Sequence, residues 1–201
     1  MAPATDPWAA LEAALARPSA PSSDYDLAPE RPPARRAGLR PAGVLMALED
    51  GPGGPRLYLT KRSPALKHHP GQIAFPGGKL DAGDADAAAA ALREAREEIG
   101  LDPATVHLLA ELPSHETVTG YTVTPIVARI DGAFSPIPEA GEVAEVFRVP
   151  LSLLLDPSRY RIERRRWRGV WRRYYVVPYG PYYIWGATAR MLKSLADRGT
   201  S

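Results

Sequence analysis

Short apolar runs broken by glycine and proline predict strands at 43–49 (GVLMALE), 56–62 (RLYLTKR), 104–112, 121–130 (YTVTPIVARI) and 142–149 (EVAEVFRV). The first two are joined by a Gly/Pro turn, DGPGGP. The last ends at Pro150 and turns into Leu151 to Leu155. Residues 160–177 predict a hairpin turning near Arg168-Gly169. Helical spacing appears in three places. Trp8, Leu11 and Leu15 form a short stripe after Asp6-Pro7, a cap followed by proline at the first helical position, and Pro18 stops it. Ala88, Ala91, Leu92, Ala95 and Ile99 form a second stripe, suited to packing on a sheet. Residues 184–192 (IWGATARML) predict a third helix, docking at the C-terminus. Between the first helix and the first strand, residues 18–42 are rich in Pro, Ser, Ala and Arg and predict an extended arm. That arm is either a mobile tail or a strap on its own domain or on a second subunit, which would make a homodimer.

Composition narrows the classes. A chain of 201 residues can build one sizeable core, extended by that arm. The formal net charge is +2, so any basic surface is local. With no cysteine there are no disulfides, no thiolate zinc site and no cysteine nucleophile. This fits a reducing, cytoplasmic setting. No apolar run approaches the ~18 residues that span a bilayer, and no secretory signal is evident.

The chemistry is concentrated at Gly77 to Leu101, GGKLDAGDADAAAAALREAREEIGL. Glu94, Glu97 and Glu98 stand at i, i+3 and i+4, so one helical face carries three carboxylates. Like charges one turn apart repel, and a hard divalent cation such as Mg²⁺ or Mn²⁺ relieves the repulsion. Taken alone, the three could equally form a solvated helix face. Arg93 lies one turn before Glu97 and can pair with it. Gly77 and Gly78 permit close backbone approach.

This stretch resembles the Nudix box of the Nudix hydrolases: a glycine, five residues, an acid, seven residues, then Arg-Glu-apolar-x-Glu-Glu-x-Gly-apolar. Gly78 takes the glycine position and Asp84 the acid. Arg93, Glu94, Ala95, Glu97, Glu98, Gly100 and Leu101 match the rest. Eight residues rather than seven separate Asp84 from Arg93. Upstream, Tyr58-Leu59-Thr60-Lys61-Arg62-Ser63, Lys67, Gly71 and Phe75-Pro76-Gly77-Gly78 resemble a narrower branch, the coenzyme A pyrophosphatases, in which the eight-residue spacing is common. Tyr58 and Lys67 stand where that branch has leucine and arginine. Thr119-Gly120-Tyr121, Val123-Thr124-Pro125 and the closing helix resemble it too.

The resemblance implies an α/β Nudix fold: an α/β/α sandwich with a mixed central sheet and a loop-helix-loop box. It implies an N-terminal helix and arm at 1–40, a Nudix hydrolase domain at 41–195 and a tail at 196–201. The implied reaction is divalent-metal-dependent hydrolysis of a pyrophosphate bond in coenzyme A or acyl-CoA, giving 3′,5′-ADP and 4′-phosphopantetheine. The alternatives are a Nudix enzyme for ADP-ribose, dinucleotides or nucleoside triphosphates, or a non-catalytic nucleotide or nucleic-acid binding module. Glu94, Glu97, Glu98 and the Gly78 carbonyl are the implied Mg²⁺ or Mn²⁺ ligands, with Arg93 orienting a glutamate. Arg62, Lys67 and Gly77 are substrate-binding candidates. Glu142 and Glu145 are candidate general bases, which the family draws from outside the box.

Two features remain. His68, His69, His107 and His115 match no zinc spacing and are read as structural or solvent-facing, although His69 lies within the branch motif and could touch phosphate. Residues 161–173 mix many arginines with Trp167 and Trp171. Hairpin alternation splits these arginines between two faces, so nucleic acid is not the expected partner. A solvated or subunit-contacting hairpin, or contact with a substrate phosphate, fits better.

Overall fold

The computed structural model describes residues 6–28, 38–167 and 169–200. In chain order the elements are α1 (Pro7–Leu15), β1 (Ser22–Ser23), β2 (Arg40–Glu49), β3 (Arg56–Arg62), β4 (Ile73–Ala74), β5 (Gly77–Lys79) and α2 (Ala87–Ile99). Then come β6 (Val106–Glu111), β7 (His115–Glu116), β8 (Tyr121–Ile130), β9 (Val143–Pro150) and α3 (Leu151–Leu154). The chain closes with β10 (Arg161–Trp167), β11 (Val170–Tyr179), β12 (Tyr182–Trp185) and α4 (Gly186–Thr200). The predicted strands all form. The hairpin forms too, although Arg168 at its turn lies outside the described residues.

The main sheet is mixed. β2 runs parallel to β8 along its length, and β3 pairs antiparallel with both β2 and β9. The order β1-β7-β8-β2-β3-β4 carries β5 against β2, β6 against β8 and β9 against β3. Two apolar cores lie on opposite faces, as an α/β/α sandwich requires. On one face Ala91, Ala95 and Ile99 of α2 pack on Leu45, Ala47, Tyr58 and Ile126. On the other, Leu11 and Ala14 of α1 join Leu192 and Leu195 of α4 against Met46, Leu48, Leu57 and Val127. A separate antiparallel sheet, β10-β11-β12, stands beside this body.

Two expectations change. Ile184 and Trp185 belong to β12, not to the last helix, because they pair with Val177 and Val176 of β11 and Ile184 is fully buried there. The helix starts at Gly186 and runs to Thr200, through most of the expected tail. The N-terminal segment is a strap on its own domain as far as it is described. β1 runs parallel to β7, and Tyr25 is buried. His115, read only as structural or solvent-facing, is the fully buried fastener. Its Nδ1 lies 2.9 Å from the Ser22 hydroxyl and its Nε2 3.1 Å from Asp24, which also accepts the Val118 N–H at 2.9 Å. Residues 29–37 of the expected arm lie outside the described residues.

Leu11→Ala should therefore cost about 2–4 kcal/mol of unfolding free energy, as a core truncation does. Urea denaturation measures it. A loss below about 0.5 kcal/mol would mean that α1 lies outside the cooperative unit.

Candidate active site

The site is built where α2 crosses the β5 loop. Asp86 caps α2 by accepting the Ala89 N–H at 2.8 Å, and the helix ends at Gly100. Its buried alanines bring the helix close to β2, which turns the glutamates toward Gly77 and Gly78. A Cβ on Gly78 would lie 2.3 Å from Oε1 of Glu94, so only glycine lets that carboxylate reach the loop. Gly77 has φ +149, and a Cβ there would lie 2.4 Å from the Gly43 carbonyl oxygen.

The three glutamates have different environments. Glu98 is 4 % exposed; its Oε2 accepts the Gly77 N–H at 3.2 Å, and its Oε1 stands 4.0 Å from Arg62. Burial pushes its carboxyl up to about 8; the Gly77 amide and Arg62 oppose the shift, and Glu94 and Glu142 reinforce it. Burial also raises Glu94. Arg93 opposes that shift, and Glu97 and Glu142 add to it. Glu97 is largely exposed and turns to Arg93, 3.2 Å away. Glu94 and Glu97 thus meet at one Arg93 nitrogen, while Glu98 is held separately by the Gly77 amide and Arg62. Among the described residues, no three His, Cys, Asp or Glu side chains form a ready metal cage.

Arg93 is the hub of the acidic face. It donates to Asp84 at 3.0 and 2.9 Å, to Glu94 at 3.1 Å, to Glu97 at 3.2 Å and to the Lys79 carbonyl at 3.2 Å. Its hydrogen bonds to Asp84 raise the guanidinium pKa, and the same bonds hold Asp84 low. Asp84 is thus a positioning residue. Sequence reasoning gave it no direct role, yet its place in the acid position was the signal.

A cavity of about 310 Å³ opens beside Glu98. Arg62, Gln72, Phe75 and Gly77 line its inner end, and Arg172, Arg173, Tyr174 and Trp185 its far wall. A neighbouring chamber of about 530 Å³ shares His69, Gln72, Arg172, Tyr174 and Trp185 and adds Arg165. Of the substrate-binding candidates, Arg62 and Gly77 line the inner cavity, and His69 lines both chambers. Lys67 does not: it is exposed on the turn between β3 and β4 and lines neither. Of the two outlying carboxylates, Glu142 is close enough to raise both Glu94 and Glu98. Glu145 instead accepts the Tyr182 hydroxyl.

A model of the NUDIX domain matches residues 39–168. The chain belongs to the Nudix family. Relatives called "Uncharacterized Nudix hydrolase NudL" agree. That of Enterobacter sp. (strain 638) is 43% identical over 159 residues, 78% of this chain and 81% of the relative. That of Klebsiella pneumoniae (strain 342) is 39% identical over 174 residues, 87% and 90%. A MutT/nudix family protein from Enterococcus faecalis shares the fold, with a TM-score of 0.50 at 14% identity over 84% of this chain and 64% of that one. The protein is thus a Nudix hydrolase, a class that hydrolyses pyrophosphate bonds and generally uses divalent metals such as Mg²⁺ or Mn²⁺. No described helix is long and apolar enough to cross a membrane.

The donor set fits such a cation. Glu94 and Glu98 are hard oxygen donors, and the missing Cβ at Gly78 leaves the loop backbone against Glu94. Mg²⁺ is commonly held by one or two carboxylates, with water and substrate phosphates completing the shell.

A buried carboxyl with a raised pKa gives a signed prediction. Its contribution to metal-free stability is full below the ordinary 4.5 and is lost as pH rises through about 8. Glu98→Gln should therefore stabilise the metal-free protein at pH 8.5 by on the order of 1–2 kcal/mol, and by little at pH 4. Thermal unfolding across pH checks this. A variant less stable than wild type at pH 8.5 would contradict it.

Proposed function

We propose that the protein hydrolyses the pyrophosphate bond of coenzyme A or an acyl-CoA, giving 3′,5′-ADP and a 4′-phosphopantetheine. One observation carries this reading: three of the residues that resemble the coenzyme A branch, Arg62, Phe75 and Gly77, lie along the cavity beside Glu98. The combined chambers also extend well past the diphosphate end, as a long substrate needs.

In this reading Glu94 and Glu98, with the Gly78 carbonyl, hold Mg²⁺ or Mn²⁺. When bound, the cation neutralises diphosphate oxygens and lowers the pKa of water. The chain's own residues do the rest. Arg93, anchored by Asp84, fixes Glu94 and Glu97 on the acidic face. Arg62 and the Gly77 loop receive the diphosphate. Glu142 takes a proton from the attacking water, and the P–O bond to the bridging oxygen breaks. Glu145, engaged with Tyr182, holds the β12 wall against β9 through the stacked pair Phe147 and Tyr182.

Turnover of coenzyme A, acetyl-CoA, ADP-ribose and NADH with Mg²⁺ or Mn²⁺, with products identified, tests the substrate. Coenzyme A or its thioester should lead, with 3′,5′-ADP among the products. Faster turnover of ADP-ribose or NADH would overturn the assignment.

The residue roles make a second prediction. Glu98→Gln should stay folded and lose at least a hundredfold in kcat, about 3 kcal/mol. Glu142→Gln should lower kcat more than Glu145→Gln does, with KM little changed. The reverse order would assign the base to Glu145.

A further inference from the structure

The family match ends inside the hairpin, yet the far wall of the cavity is made of β11, β12 and the start of α4. The β10–β11 register places Arg165 directly opposite Arg172 and Glu163 opposite Tyr174. The β11–β12 register places Val176 opposite Trp185. Side chains two residues apart share a face, so Arg165, Arg172, Tyr174 and Trp185 rise from one face of this small sheet. They are also the hairpin-sheet residues lining the outer chamber. The rings of Tyr174 and Trp185 meet edge to face, with centroids 5.2 Å apart at 61°. Arg164 and Arg173 stand opposite each other on the other face, where Arg164 lies over the Trp171 ring; Arg173 borders the inner cavity but not the outer chamber. The alternation thus sorts the arginines and aims one pair, with two aromatic rings, into the chamber.

We propose that this wall is a subsite for a nucleoside carrying a phosphomonoester on its ribose, distinct from the diphosphate end at Arg62 and Gly77. The proposal rests on the coenzyme A reading and deepens it by saying which half of the molecule lies at the hairpin. Pantetheine is a neutral chain and gives two arginines nothing to bind. A ribose phosphate offers a dianion to guanidinium forks, and an adenine offers a face to aromatic rings. Like charges set opposite across a strand pair repel, so the register concentrates positive potential where that dianion would sit. Specificity for the phosphorylated nucleoside would then come from Arg165 at the very end of the matched Nudix domain and from Arg172, Tyr174 and Trp185 beyond it, while the box supplies the bond-breaking site.

The test uses the full chain. By calorimetry without metal, 3′,5′-ADP should bind at least tenfold more tightly than 5′-AMP, with the difference shrinking as NaCl is raised. In turnover, kcat/KM for coenzyme A over that for 3′-dephospho-coenzyme A should fall at least fivefold in Arg165→Ala. Arg164→Ala, which changes the opposite face of the same strand, should leave that ratio as in wild type. Equal affinities for the two nucleotides, or the same fall in both variants, would overturn the subsite. Selective binding of 3′,5′-ADP that depends on Arg165, without hydrolysis of coenzyme A, would support the subsite and overturn the coenzyme A reading. Hydrolysis of coenzyme A with no preference over the dephospho form would do the opposite.

Discussion

Glu98 is a carboxylate removed from water. It sits 4 % exposed at the end of the α2 acidic face, with one amide hydrogen bond and an arginine 4.0 Å away as its compensation. Neither neighbour offsets the desolvation, since the carboxyl rises to about 8. A buried acid in that condition must either keep its proton or meet a stronger counter-charge. In the proposed reading a divalent cation supplies that charge and Glu94 shares it. On that reading the arrangement stores a preference for cation binding inside the fold.

The surrounding architecture serves that arrangement. Packing of the α2 alanines on the sheet fixes the helix, and the glycine pair lets the loop approach where any side chain would collide with Glu94 or the β2 backbone. Arg93 then ties Asp84, Glu94 and Glu97 into one network, so the acidic face is held by a partly buried ion-pair cluster rather than by scattered surface pairs. The opposite side of the molecule builds the cavity wall. The N-terminal strap, buttoned down through His115, places Asp24 in the cavity lining, and the C-terminal hairpin closes the far side.

Local pattern carried much of this into the sequence. The alanine and leucine period of α2, its flanking glycines and the spacing of its glutamates are short-range features, and all are present in the structure. Long-range pairing was not readable. Ile184 and Trp185 look helical beside Gly186, but their partners on β11 decide otherwise. Glu94, Glu97 and Glu98 share a helical face, yet Arg93 engages the first two while the Gly77 amide holds the third. Lys67 stands at a motif position that the branch fills with arginine, but it is exposed on its turn and lines neither chamber. The roles of Asp84 and His115 depended on partners nine residues and ninety-one residues distant, at Arg93 and Asp24. The acid position hinted at Asp84, but no period or spacing reports the partner of His115.

Proton release on cation binding probes the central claim without relying on any substrate. Calorimetric titration of Mn²⁺ into the protein at pH 7, repeated in buffers of different ionisation enthalpy, counts protons per bound ion. A carboxyl with a pKa of about 8 is mostly protonated at that pH, so close to one proton should leave from Glu98 for each cation bound. Cation binding that releases no proton would show that Glu98 is already ionised or is not a ligand, and the account of this site would fail.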